Sequence, residues 1–420
     1  MSAAEVEVLI EALGAAGDGV ATLAGRSLFV PGALPGERWR VRPGAGGHAT
    51  PLVCLVSRPR AAPACPHFGR CGGCRLQHLP PADYADFKRR RIVDALQRHG
   101  LPGGVVGEPR IGPPAGRRRL RLALAREAGR LVPGLRERSG HAVVPLVVCP
   151  VAAPALAALL PGLGAALQQW LARPWPAEAS LTLTEAGVDL LLHAARPPTP
   201  DERAGVGAFA VRLDLARVAW QAGGPPETLL TLRPPLVRLS GVAVEVPPGA
   251  FLQPSRFGEE ELVRAVGEWA GTPGRAADLY AGLGTLTLAL AGHARRLLAF
   301  EGEALAVAAL RRAAGGRGVA VERRDLARRP LRPAELACDL VVLDPPRAGA
   351  AEQCAALARS RVPQLIYASC RPESFARDAR LLVDGGYLLE DVRPIDQFLW
   401  SAEVELVARF ARPARHTNRP

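Results

Sequence analysis

The second half of the chain alternates short apolar runs with amphipathic helical stretches, and this alternation constrains the fold more than any other feature. The runs and stretches after Gly249 lie at 259–269, 276–280, 286–291, 296–300, 303–314, 339–343, 365–368, 374–383 and 387–392. Alternating strands and helices of this kind build a mostly parallel, doubly wound sheet covered by helices. Ligands of such a sheet bind beyond the carboxyl ends of its strands. We therefore expect an α/β domain whose functional residues follow strand ends.

The first part of the chain has a different pattern. Residues 6–56 read as several short strands separated by glycine and proline turns, which is typical of a small β-barrel. Small barrels without catalytic residues are most often binding modules. Residues 115–245 mix strand-like pieces with an Ala/Leu-rich helix at 152–171, a pattern that indicates mixed structure without defining a fold.

Arginine supplies nearly all of the positive charge. The 420 residues include 53 Lys and Arg against 40 Asp and Glu, a formal net charge of +13, and Lys88 is the single lysine. Such a balance favours a polyanionic partner, either nucleic acid or an anionic membrane surface. A solvated basic surface without a partner is the alternative. Because 48% of the residues are hydrophobic, disorder along the whole chain is excluded.

Two features indicate the compartment. No apolar run reaches the roughly 18 residues of a membrane span, and Glu5 and Glu7 stand where a secretory signal would carry positive charge. We expect a cytoplasmic protein with no membrane partner, and no protein partner is evident. In a reducing compartment, clustered cysteines indicate metal binding or catalysis rather than disulfides.

Four cysteines have the spacing of a metal site. Cys65, Cys71 and Cys74 cluster among glycines, and Cys149 follows later. Four thiolates suit either tetrahedral zinc or a 4Fe–4S cluster, and composition does not choose between them. The five residues between Cys65 and Cys71 argue against radical SAM chemistry, which normally uses C-x3-C-x2-C. Three further cysteines are expected to be structural: Cys54, Cys338 and Cys354.

Three strand ends carry the residues of a nucleotide site. Gly282 and Gly284 separate a strand from a helix, where the backbone can approach a ligand closely. Glu301 ends the next strand, and its carboxylate can accept both hydroxyls of a ribose. Asp344 opens an Asp-Pro-Pro-Arg turn after a third strand. The turn lacks the third glycine of a dinucleotide site, so S-adenosylmethionine (SAM), which has no pyrophosphate, fits better.

Cys370 follows a fourth strand and precedes a helix. A thiol at a helix N-terminus beside Arg371 is expected to have a lowered pKa and to act as a nucleophile. Taken alone, a cysteine at a strand end is more often structural. Its place at the same edge as the cofactor residues favours the catalytic interpretation.

These motifs resemble those of the RNA 5-methyluridine methyltransferases, in particular the branch that carries a TRAM barrel and a 4Fe–4S cluster and acts on 23S ribosomal RNA. The resemblance covers nearly the whole chain. It rests on residues 17–37 for the barrel, 65–74 with 149 for the cluster, and 251–253, 278–284, 344–349 and 369–372 for the catalytic half.

The resemblance implies an α/β protein of three domains and a tail. These are an OB-like TRAM RNA-binding β-barrel (1–58), a central α+β iron–sulfur domain (59–245), a Rossmann-like SAM-dependent methyltransferase domain (246–412) and a basic tail (413–420). The implied cluster ligands are Cys65, Cys71, Cys74 and Cys149. The implied SAM-binding residues are Gln253, Tyr280, Gly282, Gly284, Thr285, Glu301, Asp325 and Asp344.

The resemblance also assigns catalytic roles, with Cys370 as the nucleophile and Glu405 as the base. A thiolate that adds to C6 of uracil makes C5 nucleophilic enough to take a methyl group, and a base must then remove the C5 proton. Glu403 is the rival base, since a strand places both glutamates on one face. The target base must be flipped or unpaired. A basic run at 117–121 resembles the family's RNA-binding run, with a solvated strand as the alternative.

The chain departs from the family pattern at two places. Ala281 replaces a usual cysteine, and residues 399–401 replace a usual Pro-His-Thr before the base. An enzyme for exocyclic amines would carry an aromatic residue where Arg347 stands, and a 5-methylcytosine enzyme would carry a second cysteine in that turn. A tRNA uridine is an alternative target. A scaffold without activity would have lost the nucleophile, the base or the glycines.

Overall fold

The computed structural model describes residues 4–138 and 140–413. Its strands are β1 (Val6–Leu9), β2 (Ala12–Leu13), β3 (Gly19–Leu23), β4 (Arg26–Val30), β5 (Arg38–Pro43), β6 (Ala49–Val56), β7 (Arg110–Ile111), β8 (Arg119–Glu127), β9 (Arg130–Arg136), β10 (Val143–Pro145), β11 (Glu178–Thr184), β12 (Gly187–His193), β13 (Leu215–Gln221), β14 (Glu227–Thr231), β15 (Leu236–Leu239), β16 (Val242–Glu245), β17 (Arg275–Leu279), β18 (Arg296–Glu301), β19 (Val319–Arg323), β20 (Leu340–Leu343), β21 (Gln364–Ser369), β22 (Leu388–Asp396) and β23 (Glu405–Ala411). Its helices are α1 (Pro81–Arg98), α2 (Pro154–Trp170), α3 (Pro200–Arg212), α4 (Arg256–Ala270), α5 (Thr285–Leu290), α6 (Ala304–Ala314), α7 (Ala351–Ala358) and α8 (Pro372–Asp384). Positions 414–420 of the expected basic tail lie outside the described residues.

The N-terminal strands form two small antiparallel sheets, β1-β5-β6 and β2-β3-β4. Their inward side chains form one apolar cluster, which includes Val8, Ile10, Ala21, Val30 and Val41. Because strand side chains alternate between faces, five or six short strands suffice to enclose this cluster. The short strands expected from the sequence are therefore present, as two sheets around one apolar core.

A seven-stranded sheet follows in the order β10-β9-β8-β11-β12-β13-β14. It is antiparallel except for the pair β12 and β13, which α3 connects and which run parallel. Along β8, Leu120 and Leu122 are buried in the apolar cluster that includes residues of α2 and α3. Arg119 and Arg121 alternate with them and face the other side, where they line a cavity.

The C-terminal half contains an eight-stranded sheet in the order β19-β18-β17-β20-β21-β23-β22-β7. Strands β17 to β21 run parallel to one another, whereas β23 is antiparallel to both β21 and β22. Strand order reverses between β17 and β20, so the carboxyl ends of these two strands border a crevice. The doubly wound sheet predicted from the alternation is thus confirmed, with an antiparallel edge added.

Segments from outside residues 246–412 pack on this half of the molecule. Helix α1 contributes Ile92, Ala95 and Leu96 to the same core as α8. Strand β7 pairs with β22, and the β15–β16 hairpin packs its apolar side chains against α5 and α6. These contacts join the middle of the chain to the catalytic sheet. Within the described residues, no helix combines the length and apolarity needed to cross a bilayer.

Candidate active site

The turn between β17 and α5 is shaped by residues with positive φ. Tyr280, Gly282 and Gly284 have φ values of 63°, 55° and 96°, a region that costs glycine little. A Cβ atom on Gly282 would meet no atom within 4 Å, whereas one on Gly284 would lie 2.4 Å from Leu310 Cδ1. Gly282 therefore leaves space for a ligand, and Gly284 allows α5 to pack on α6.

A cavity of about 500 Å³ opens beside this turn. Its lining residues follow the ends of β17, β18, β19 and β20, as expected for a doubly wound sheet. Seven of the eight residues predicted to hold SAM line it: Gln253, Tyr280, Gly282, Thr285, Glu301, Asp325 and Asp344. The eighth, Gly284, does not line the cavity. It faces Leu310 of α6, where a side chain would clash.

Glu301 joins two of these strand ends. Its Oε2 atom accepts the N–H of Gly282 at 2.8 Å, and its Oε1 atom accepts the N–H of Glu303 at 2.7 Å. Each carboxylate oxygen can accept a second hydrogen bond. Glu301 thus fixes the glycine turn and keeps the capacity to bind the two hydroxyls of a ribose.

Two carboxyl groups, those of Asp344 and the buried Glu405, line the cavity. Burial raises the pKa of Asp344 to about 6. Burial and the charge of Asp344 together raise the pKa of Glu405 well above its ordinary value. The Oε1 atom of Glu405 has no hydrogen-bond partner among the described residues. A carboxylate with a raised pKa and one free oxygen is suited to take up a proton.

Two amide side chains link these carboxyl groups. Gln253 Nε2 donates to Asp344 Oδ2 at 2.9 Å. Gln397 Nε2 donates to Gln253 Oε1 at 2.9 Å and to Glu405 Oε2 at 2.7 Å. This arrangement fixes one oxygen of Glu405 and leaves the other without a partner among the described residues.

The sequence analysis did not identify Gln397, because it belongs to none of the motifs. The available signal was its place directly after a strand-ending Asp396, eight residues before Glu405. A polar residue at a strand end on the cofactor edge is a candidate site residue.

The expectation that Glu403 and Glu405 lie on one face of a strand is wrong. Strand β23 begins at Glu405, and Glu403 lies in the preceding loop. The Glu403 side chain is 42% exposed and pairs with Arg347 at 2.9 Å. Glu405 is 2% exposed and lines the cavity beside Cys370. The geometry therefore favours Glu405 over Glu403 as a base.

Cys370 lies between β21 and α8, half-buried, and lines the cavity with Glu405. The expected lowering of its pKa is wrong. Burial raises the pKa of the thiol to about 12, and the charges of Glu405 and Asp344 add to burial, while Arg347 opposes them. Arg371, which was expected to lower the pKa, is directed to Glu373 at 3.7 Å instead.

The free protein is therefore expected to hold Cys370 as a thiol at neutral pH. Since the thiolate is the reactive form, alkylation by iodoacetamide should rise about tenfold per pH unit between pH 7 and 9 without reaching a plateau. The rate is measured by mass spectrometry of the peptide that contains Cys370. A rate already constant at pH 7 would contradict the raised pKa.

A second cavity, of about 730 Å³, adjoins the first and shares Cys370 and Glu405 with it. It extends over the polar face of the central sheet, where it is lined by Arg117, Arg119, Arg121, Ser180, Thr182 and His193. Phe251 also lines it, is 59% exposed and lies under the Arg119 guanidinium at 5.3 Å. Basic groups beside an exposed aromatic ring are suited to bind nucleic acid.

The basic run at 117–121 divides between two roles. Arg118 is directed into the protein, where it pairs with the buried Glu259 and donates to Gln253 O. Arg117 and Arg119 make no ion pair within the described ranges, and burial together with the charges of Arg117 and Arg118 lowers the pKa of Arg119 to about 10. Half-buried guanidinium groups without counter-charges favour an anionic ligand.

The four clustered cysteines, Cys65, Cys71, Cys74 and Cys149, lie close enough for their charges to affect one another. Burial raises the pKa of Cys71, Cys74 and Cys149, in Cys74 to about 12, and the charges of neighbouring cysteines add to this effect. In the part of the chain that the structure describes, no three His, Cys, Asp or Glu side chains are arranged to hold a metal ion. The four cysteines are chemically suited to bind a metal or a cluster through four thiolates. Their side chains are not arranged around a common metal position in this structure.

Fold and site together define a doubly wound α/β protein in which two adjoining cavities share a cysteine and a buried glutamate. Residues 1–42 match the TRAM domain family. The chain is 41% identical to a protein of Caulobacter vibrioides described as an uncharacterized RNA methyltransferase, over 97% of this chain and all of that protein. It is 35% identical to the 23S rRNA (uracil(1939)-C(5))-methyltransferase RlmD of Chromohalobacter salexigens, over 92% of this chain and 85% of that protein.

A solved structure shares the fold. The tRNA (uracil-54, C5)-methyltransferase of Pyrococcus abyssi, in complex with S-adenosyl-L-homocysteine, superposes with a TM-score of 0.70 and 22% identity, over 97% of this chain and all of that one. The fold is therefore that of a class I methyltransferase with a TRAM domain. Together with the identities to its relatives, this shows that the chain belongs to the RNA methyltransferase family and is an enzyme.

Proposed function

We propose that this enzyme transfers the methyl group of SAM to C5 of a uridine in 23S rRNA through a covalent bond between Cys370 and the uracil ring. The observation that carries the proposal is that Cys370 and Glu405 line the same two cavities. A nucleophile and a base at one pocket are the pair that this reaction needs. The printed activities of the C. salexigens and P. abyssi proteins, both at uracil C5, support it.

The residues of the smaller cavity are proposed to hold SAM, which supplies the methyl group as an electrophilic sulfonium. Glu301 would bind the ribose hydroxyls, and Gly282 would leave room for the ligand against the backbone. Gln253, Tyr280, Thr285, Asp325 and Asp344 line the remainder. Asp344 brings a carboxyl group that can stabilise positive charge near the reacting atoms.

Cys370 and Glu405 would act in sequence. The Cys370 thiol gives up its proton to water, and the resulting thiolate adds to C6. The electron pair of the C5–C6 double bond then becomes available at C5, which attacks the methyl group of SAM, and S-adenosyl-L-homocysteine leaves. Glu405 then takes the C5 proton through its Oε1 atom, the double bond re-forms, and the bond between Sγ and C6 breaks. The raised pKa of Glu405 suits it to hold the proton that it receives.

Incubation with methyl-labelled SAM tests the substrate. We expect 5-methyluridine in nuclease digests of a 23S rRNA transcript and not in digests of 16S rRNA or tRNA transcripts. Label recovered only from tRNA would favour the tRNA alternative, and label in another nucleoside would favour an amine target. No label in any RNA would contradict the proposal and favour a scaffold.

The larger cavity, lined by Arg117, Arg119 and Arg121, is here called the basic groove. We propose that it holds the RNA backbone around a flipped base. Replacing Arg119 by glutamine should weaken RNA binding and reduce the slope of log K against log salt by about one, because one phosphate contact is lost. Arg126→Gln, on the same strand but outside the groove, is the matched control. Filter binding between 50 and 200 mM salt measures both, and equal slopes in the two variants would contradict the groove assignment.

Cys65, Cys71, Cys74 and Cys149 are proposed to hold a 4Fe–4S cluster, which would stabilise the RNA-binding half of the protein. Protein purified without oxygen should contain about four iron and four sulfide ions per chain. Cys74→Ser should lose both, whereas Cys54→Ser, in the barrel, should keep them. Zinc without sulfide would contradict the cluster and favour the zinc alternative.

The division into a TRAM barrel (1–58), a central iron–sulfur domain (59–245), a methyltransferase domain (246–412) and a basic tail (413–420) is likewise a proposal. The TRAM match to residues 1–42 supports its first part. Action on ribosomal RNA would place the enzyme in the cytoplasm.

A further inference from the structure

The single lysine of the chain occupies a buried contact between the two halves of the molecule. Lys88 lies on α1 and is fully buried. Its Nζ atom pairs with Asp396 Oδ1 at 2.8 Å and donates to the carbonyl oxygens of Glu403 and Phe398. Three groups of one loop, residues 396–403, thus converge on one ammonium.

Tyr84, one helical turn before Lys88, holds the same loop. Its hydroxyl donates to Asp396 Oδ2 and accepts the N–H of Trp400 at 2.7 Å. The N–H groups of Arg75 and Leu76 donate to Trp400 O at 2.8 and 2.9 Å. Trp400 has a φ of 60°, which a non-glycine residue keeps only when its surroundings hold it there.

This loop carries the groups that orient the proposed base. Gln397 lies within it and donates to Glu405 Oε2 at 2.7 Å, and the loop ends two residues before Glu405. Cys370 is attached to β21 and α8 instead. Glu405 itself begins β23 and pairs with Ile395 of β22. A displacement of the loop would therefore move Gln397 and release the Glu405 carboxylate from its amide partner, while Cys370 would stay in place.

We propose that Lys88 is a positioning residue, which sets the loop 396–403 and through it the orientation of Glu405. The proposal rests on the proposed function of Cys370 and Glu405. It explains why an ammonium is used here although every other basic residue of the chain is arginine. Lysine presents three donors from a compact head, which fits one carboxylate and two carbonyls, whereas arginine presents a planar fork.

Lys88→Met tests the proposal by separating two steps in a single-turnover reaction with 23S rRNA and labelled SAM. The covalent complex, measured on denaturing gels, should form at the wild-type rate and resolve about 10²-fold more slowly, the scale of a displaced catalytic group. Arg90→Met, an exposed neighbour on α1 that pairs with Asp86, is the control and should match the wild type in both steps.

A purely structural role predicts a different result, in which formation and resolution fall in parallel with the folded fraction. That result, or unchanged resolution, would overturn the proposal. If Lys88→Met does not fold, Tyr84→Phe removes one donor and one acceptor from the same loop and should slow resolution alone, by about tenfold. Failure of the wild type to form any complex would instead overturn the proposed function, and the positioning role with it.

Discussion

Replacing Cys370 by alanine is expected to abolish both the methylation of RNA and the covalent complex between protein and RNA. The turnover rate should fall by at least about 10³-fold, because the pathway through the C6 adduct has no other nucleophile. Cys370 is half-buried at a strand end rather than in the core, so the variant should fold. Cys338→Ala, a buried cysteine away from both cavities, is the matched control and should remain active.

RNA that contains 5-fluorouridine tests the role of Cys370 directly, because it should trap the covalent complex. A base cannot remove fluorine from C5, so the wild-type complex should persist on a denaturing gel after methyl transfer. Cys370→Ala should give no such complex. A complex formed equally by both proteins would show that another residue is the nucleophile.

The substitution Glu405→Gln is expected to stop the reaction after methyl transfer. The amide keeps the size of the side chain and removes its ability to take a proton, so turnover should fall about 10² to 10⁴-fold. One methyl group per chain should appear in a covalent complex with unmodified RNA. Single-turnover gels with labelled SAM measure this accumulation.

Glu403→Gln is the matched comparison. Its carboxylate is paired with Arg347 and is 42% exposed, so this variant should resolve the complex. If the covalent complex accumulated in Glu403→Gln and broke down normally in Glu405→Gln, Glu403 would be the base instead of Glu405.

Much of the catalytic half could be predicted from the sequence, because its signals are local. Alternating runs define parallel strands, and glycine or acidic residues directly after them mark the ligand edge. The strand ends therefore predict that Glu301, Asp344 and Cys370 lie together, and in the structure all three line one cavity. No residue near Glu403 marks where β23 begins, so the sequence could not show that Glu405 lies in the strand and Glu403 in the loop before it.

The remaining features depend on contacts between distant segments. The pKa of Cys370 follows from Glu405, 35 residues later, and from burial, and a helix N-terminus does not outweigh them. Gln397 gains its place through Gln253 and Glu405. Lys88 was visible as the single lysine, but its contact with a loop more than 300 residues away has no sequence signature.

The most direct test of the proposed chemistry uses 23S rRNA labelled with tritium at uridine C5. We predict that each methyl group transferred from SAM is accompanied by the release of one tritium to water, and that both signals disappear in Cys370→Ala. Methyl transfer without tritium release would place the methyl group on another atom and would contradict the roles proposed for Cys370 and Glu405.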